Sequence, residues 1–152
     1  MKRYQIVELN TEYNHAGSKA VQDVYEIARS LGYEANIIRT ATTADSLMAK
    51  IQRQIFFFID WLKAYFSIAS NSIVFIQNPY HHKQLIRNWV LESLKRKKNV
   101  KFISLVHDVE ELRKSLYNNY YKSEFDIMLS LADVIIVHND KMKAVSYTHL
   151  TL

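Results

Sequence analysis

Between Val100 and Arg113 the sequence VKFISLVHDVEELR changes its period at one residue pair, His107-Asp108. Up to that pair, Val100, Phe102, Ile103, Leu105 and Val106 form a short, nearly continuous apolar run, the pattern of a strand buried on both faces of a parallel sheet. Beyond it the pattern is helical. Asp108 reads as an N-cap, Glu111 stands at the spacing of a capping box, and Val109 and Leu112 fall where a first turn faces inward. A strand that feeds straight into a helix narrows the fold to the α/β class. It also leaves polar residues at the strand's C-terminal end, where open α/β sheets bind ligands.

The same cadence runs through the whole chain. Tyr4 to Leu9 is a first strand with Ile6, Val7 and Leu9 at its centre. From Ser18, read as an N-cap, Val21, Val24, Ala28 and Leu31 recur at helical spacing, and Gly32 stands where a glycine closes a helix. Tyr33 to Arg39 is a second strand. Ala44 to Ala69 is the longest helical stretch, with a break expected near Phe56. Ile73 to Ile76 is a third strand, ended by Pro79, and Leu85, Ile86, Trp89, Val90 and Leu94 mark an amphipathic helix before the central strand. After a polar, aromatic loop at Tyr117 to Tyr121, a short helix is expected over Phe125 to Leu131, starting at Ser123, and a fifth strand over Val134 to Val137. The order βαβαβαβαβ predicts a doubly wound parallel sheet.

Composition excludes several other classes. Two glycines, one proline and 49% hydrophobic residues rule out a disordered or collagen-like chain, and 152 residues suit one domain. With no cysteine there is no disulfide framework and no thiolate ligand or nucleophile. The start of the sequence has no leader-like apolar segment, so the expected location is the cytoplasm. A net charge of +5 favours anionic partners. Nucleic acid is not expected among them, because no reading motif is present; the basic run Lys95 to Lys98 fits a solvated last helical turn. The stretch IFFFIDWLKAYFSIA is interrupted by Asp60 and Lys63 and is shorter than the ~20 apolar residues a span requires. Its apolar groups nevertheless occupy more of the helix circumference than one core face uses. An oligomer interface or a contact with the inner face of the membrane is the alternative to plain core packing.

Polar residues collect after the strands, at Asn10 to Ser18, Gln77 to His82, His107-Asp108 and His138-Asn139. In a parallel sheet these ends share one edge. Asp108 is read either as a helix cap or as a general base, and His107, with a side chain that titrates near neutrality, is the rival base. His15, Gly17, Ser18 and Lys19 lie between a strand and a helix N-terminus, where backbone N–H groups meet phosphates or hydroxyls. They lack the spacing of GxGxxG and of GxxxxGK[ST], so neither a dinucleotide fingerprint nor a P-loop is assigned. His81 and His82 are neighbours with no carboxylate at ligand spacing, which argues against zinc, and no metal site is expected.

The segments NHAGSKAVQDV, FIQNPYHH, SLVHDVEELR and LADVIIVHNDKM together resemble the N-terminal half of bacterial glycosyltransferases of the glucosyltransferase 3 and β-1,6-galactofuranosyltransferase type. The likeness runs to about Ala144. It implies a Rossmann-like domain forming the N-terminal half of a GT-B architecture, binding a glycan or glycoprotein acceptor. The nucleotide-sugar donor, a UDP-sugar, would belong mainly to a C-terminal domain absent from this sequence, so no cofactor is expected on this domain and none of its turnover alone. The resemblance puts His15, Gly17, Ser18, Lys19, Pro79, Tyr80 and His81 on the acceptor side of the cleft, with Asp108 or His107 as the base of an inverting displacement. The domain is expected over residues 1–144, with 145–152 a non-native tail similar to translated adapter sequence, the mark of a truncated reading frame. The alternative is a non-catalytic α/β module that binds an anionic ligand or a protein partner through the same strand-end cleft.

Overall fold

The computed structural model describes residues 1–9, 16–40, 46–80, 82–107 and 119–150, with the side chains of 16–18, 121, 145 and 147–150 excepted. Strands and helices alternate: β1 (Arg3–Leu9), α1 (Ala16–Ser30), β2 (Glu34–Arg39), α2 (Leu47–Ser67), β3 (Ile73–Asn78), α3 (Arg87–Lys98), β4 (Lys101–Val106), α4 (Asn119–Leu131), β5 (Val134–Val137) and α5 (Asp140–Leu150). The five strands form one sheet in the order β2-β1-β3-β4-β5, and every pairing is parallel. This is the expected doubly wound, Rossmann-like α/β sheet. Its order reverses between β1 and β3, and such a switch point opens a crevice at the strands' C-terminal ends.

Alternation along the strands divides the sheet into two unequal faces. Tyr4 and Ile6 of β1, Val74 and Ile76 of β3 and Phe102 of β4 pack with Phe57, Trp61 and Ala64 of α2, Val90, Leu91 and Leu94 of α3 and Met128 of α4 in the main core. Phe57, Trp61 and Phe102 are completely buried there. Phe75, Ile103, Leu105 and Ile136 point to the other face and, with Val24, Ile27, Ala28 and Leu31 of α1, line an open groove of about 310 Å³. A smaller core joins Val106, Phe125, Leu129 and Met142, which ties α5 to α4 and to the end of β4.

Several element ends differ from the sequence expectation. Helix α1 begins at Ala16, so Gly17 and Ser18 lie in its first turn and Ser18 is not the cap. Helix α2 starts at Leu47, where the Ser46 side chain accepts the Ala49 N–H at 3.2 Å, and runs unbroken past Phe56. It contains no glycine or proline to break it. Helix α4 starts at Asn119, a turn ahead of Ser123, and holds the i,i+4 pair Lys122–Asp126. Helix α5 continues through Val145, where a poor helical continuation was expected, and is capped by the Asn139 side chain, which accepts the Met142 N–H at 3.0 Å. The closing glycine of α1 is as expected: Gly32 has φ +83°, and its N–H reaches the Arg29 carbonyl at 3.0 Å.

Two of the four basic residues at the end of α3, both partly exposed, are engaged in contacts with neighbouring elements. Lys95 pairs with Asp133, which also accepts the Phe102 N–H at 2.8 Å, and Lys98 caps the end of α2 through the Tyr65 and Ile68 carbonyls. Arg96 and Lys97 remain exposed. No helix among the described residues is long and apolar enough to cross a membrane.

Candidate functional site

Strand register brings the polar strand ends together. Asn78 of β3 pairs with Val106 of β4, and Val106 with Val137 of β5. His107 and His138, each the next residue after its strand, therefore stand side by side, and the His107 N–H continues the ladder to the Asn78 carbonyl at 2.9 Å. The imidazoles are 5.5 Å apart between centroids and inclined by 32°. His107 Nε2 lies 2.7 Å from Gln77 Oε1, and His138 Nε2 lies 3.4 Å from His107 Nδ1.

These contacts fix the direction of the chain of hydrogen bonds. The Gln77 amide nitrogen donates to the Val21 carbonyl of α1 at 3.3 Å, which leaves Oε1 to face His107. A carbonyl oxygen only accepts, so for a neutral His107 this contact calls for the proton on Nε2 and the lone pair on Nδ1. That lone pair accepts from His138 Nε2. The sequence Gln77–His107–His138 is thus ordered from a 5% exposed amide to an exposed imidazole.

A second polar group lies on the other side of the sheet, behind β1 and β3. Glu8 accepts the Thr40 hydroxyl at 2.9 Å, and Arg87, the first residue of α3, is ion-paired with Glu124 of α4. Asn88 supports both partners, accepting from Arg87 Nε at 3.1 Å and donating to Glu124 at 3.2 Å. The guanidinium carbon lies 5.0 Å from the centroid of the Tyr80 ring, which also leans on Trp61. Burial pulls the Arg87 pKa down, with Tyr80, Tyr120 and Glu8 opposing it. Burial likewise drives the Tyr80 phenol well above its ordinary value, against the charge of Arg87 and with that of Glu8.

The sequence-derived candidates separate accordingly. His107 lies at the strand-end edge, and Pro79 follows β3 through a cis Asn78–Pro79 bond. Tyr80 is 4% exposed and belongs to the main core, facing Arg87. Gly17, Ser18 and Lys19 are in the first turn of α1, Lys19 with an exposed side chain. His15, His81 and Asp108, with Glu111 of the expected capping box, lie outside the described residues. The sequence reading missed Gln77 and His138 as site residues. Their signal was positional: His138 follows β5 in register with His107, and Gln77 is the next-to-last residue of β3, opposite Leu105 of β4. Among the described residues no three His, Asp or Glu side chains converge as metal ligands do.

A parallel sheet switching order between β1 and β3 defines a Rossmann-like α/β domain, with His107 and His138 at its C-terminal edge, where such folds bind ligands. Residues 3–145 match the family described as glucosyltransferase 3-like, N-terminal domain, and the chain belongs to that family. Membership in a glycosyltransferase family implies a sugar donor and an acceptor substrate. A comparison with curated proteins finds no match.

Proposed function

We propose that this chain is the acceptor-side domain of a nucleotide-sugar-dependent glycosyltransferase, and that its strand-end edge receives the hydroxyl-bearing end of a glycan or glycoprotein acceptor. The reaction is direct displacement. The acceptor oxygen forms a bond to the anomeric carbon as the bond to the donor's diphosphate breaks, and the hydroxyl proton passes to a base. Supplying the donor, a UDP-sugar carrying glucosyl or galactofuranosyl, is the task of a partner domain.

The single observation that carries this reading is the ordered set Gln77–His107–His138 at the C-terminal edge of a domain of this family. It also supports a division of labour. His107 has its proton committed to Gln77 and its lone pair to His138, so it is suited to holding the edge in place rather than to taking a proton from substrate. The role of base then falls to Asp108, the next residue in the chain.

Titration of the chain with acceptor glycans and, separately, with UDP-sugars tests the assignment, with the imidazole NMR signals of His107 and His138 as reporters. Glycans are expected to shift those signals while UDP-sugars leave them unmoved. The reverse pattern would assign the edge to the donor and reject the proposal.

A further inference from the structure

Helix α2 has two apolar faces, and the structure covers only one of them. At 3.6 residues per turn, the buried residues Ala49, Arg53, Phe57, Asp60, Trp61 and Ala64 occupy one side of the helix. Leu47, Met48, Ile51, Ile55, Phe58 and Phe66 fall within about 120° of arc on the opposite side, and all six are exposed, Met48 and Phe66 by 76% each. The stripe runs the length of the helix. It widens onto α3, where Trp89, 52% exposed, lies with its ring 6.2 Å from that of Tyr65.

Charge around the stripe has one dominant sign. Lys50 lines an open depression of about 430 Å³ together with Ile51, Ile55 and Phe58, which puts an ammonium group on one flank. Lys63, exposed, stands on the other flank, beyond Ile59. The single acid in α2, Asp60, is 5% exposed and neutralised by Arg39, with Nη2 to Oδ1 at 2.6 Å. On the solvent side of α3, Arg96 and Lys97 outnumber Glu92.

We propose that this face of α2 and the adjoining edge of α3 dock on an anionic lipid surface. Apolar and aromatic side chains would enter the headgroup–acyl boundary while the flanking lysines meet lipid phosphates, the arrangement of interfacial amphipathic helices. A second copy of the chain is the poorer occupant. The lysines flanking the stripe find no exposed acid on α2 of a copy to pair with, so charge favours an anionic surface over self-association. The inference is independent of the acceptor-side assignment.

The test is co-sedimentation of the full chain with vesicles of phosphatidylcholine alone and of phosphatidylcholine mixed with phosphatidylglycerol. Sedimentation with the mixed vesicles is expected, together with a blue shift of tryptophan emission from Trp89, since Trp61 is already fully buried. High salt and the variant Lys50→Glu/Lys63→Glu should each weaken binding by about tenfold or more. Phe58→Glu/Phe66→Glu should abolish it, with circular dichroism confirming that the variant is folded; were it not, the lysine variant still decides. Failure of the folded wild-type chain to sediment with mixed vesicles overturns the proposal, as does equal binding to neutral ones. Concentration-dependent dimerisation in solution, lost in the phenylalanine variant and without vesicle binding, assigns the face to a second copy instead.

Discussion

His138 Nε2 stands 3.4 Å from His107 Nδ1, on the neighbouring strand end, and the far nitrogen of His107 is held by Gln77 at 2.7 Å. The pair is a consequence of register. β4 and β5 run parallel with Val106 opposite Val137, so whatever follows each strand meets its neighbour at the sheet's edge.

The first prediction concerns the tautomer. Since Gln77 offers His107 only a carbonyl oxygen, neutral His107 is expected as the Nε2–H form, read from the nitrogen shifts and ring couplings in long-range proton–nitrogen NMR spectra. Gln77→Leu should release that preference without disturbing the fold's apolar core. Finding the proton on Nδ1 in the wild-type chain would reverse the direction of the whole hydrogen-bond chain.

The buried pair Arg87–Glu124 yields a stability prediction. Its side chains are 2% and 7% exposed, so removing one partner strands the other charge in the interior. Glu124→Ala is expected to cost about 3–5 kcal/mol in urea unfolding. Replacing both partners by apolar residues, Arg87→Met with Glu124→Leu, should recover much of that loss, since the desolvation cost disappears with the charges. A double variant as unstable as the single one would show that the pair itself, and not the stranded charge, sets the stability.

Much of this architecture was legible in the sequence because it depends on local pattern. The apolar runs located all five strands and Gly32 marked the end of α1, while the apolar excess on α2 left core packing and an uncovered face as alternatives that the sequence did not separate. What escaped depends on contacts between distant residues. The burial of Tyr80, which the resemblance puts on the acceptor side, depends on Arg87 and Trp61, whose side chains offer its ring a packed site. Nothing near Arg87 in the chain names Glu124 as its partner, and the capping roles of Ser46 and Asn139 show only when the helix starts are known. Gln77 and His138 were visible as polar strand ends, but their partnership with His107 required the register.

Acid sensitivity should come in part from Asp133. Burial acts to raise its carboxyl's pKa, but hydrogen bonds from Lys95 and the Phe102 N–H, helped by the charge of Lys95, outweigh it and hold the pKa below the ordinary 3.8. In that window the native state binds fewer protons than the unfolded one, so stability rises with pH. The contribution is complete above the unfolded value and is lost as pH falls through the folded one. Urea unfolding from about pH 6 to about pH 3 should show a shallower acid slope for Asp133→Asn than for wild type. Parallel slopes would mean that the carboxylate's partners do not hold it in solution.

The division of labour between Asp108 and His107 predicts different kinetic signatures in a transferase that carries this domain with its donor partner. If Asp108 takes the acceptor proton, Asp108→Asn lowers kcat by about 10²–10⁴-fold and removes the acid limb of the pH–rate profile, because an amide cannot serve as base. His107→Asn is expected to act differently. It leaves a base in place but frees Gln77 and His138 from their shared partner, so KM for the acceptor should rise while the acid limb persists. A His107 variant that loses the limb, beside an Asp108→Asn variant that keeps it, would exchange the two roles. The lone pair on His107 Nδ1 would then have to leave His138 for the acceptor hydroxyl when substrate binds.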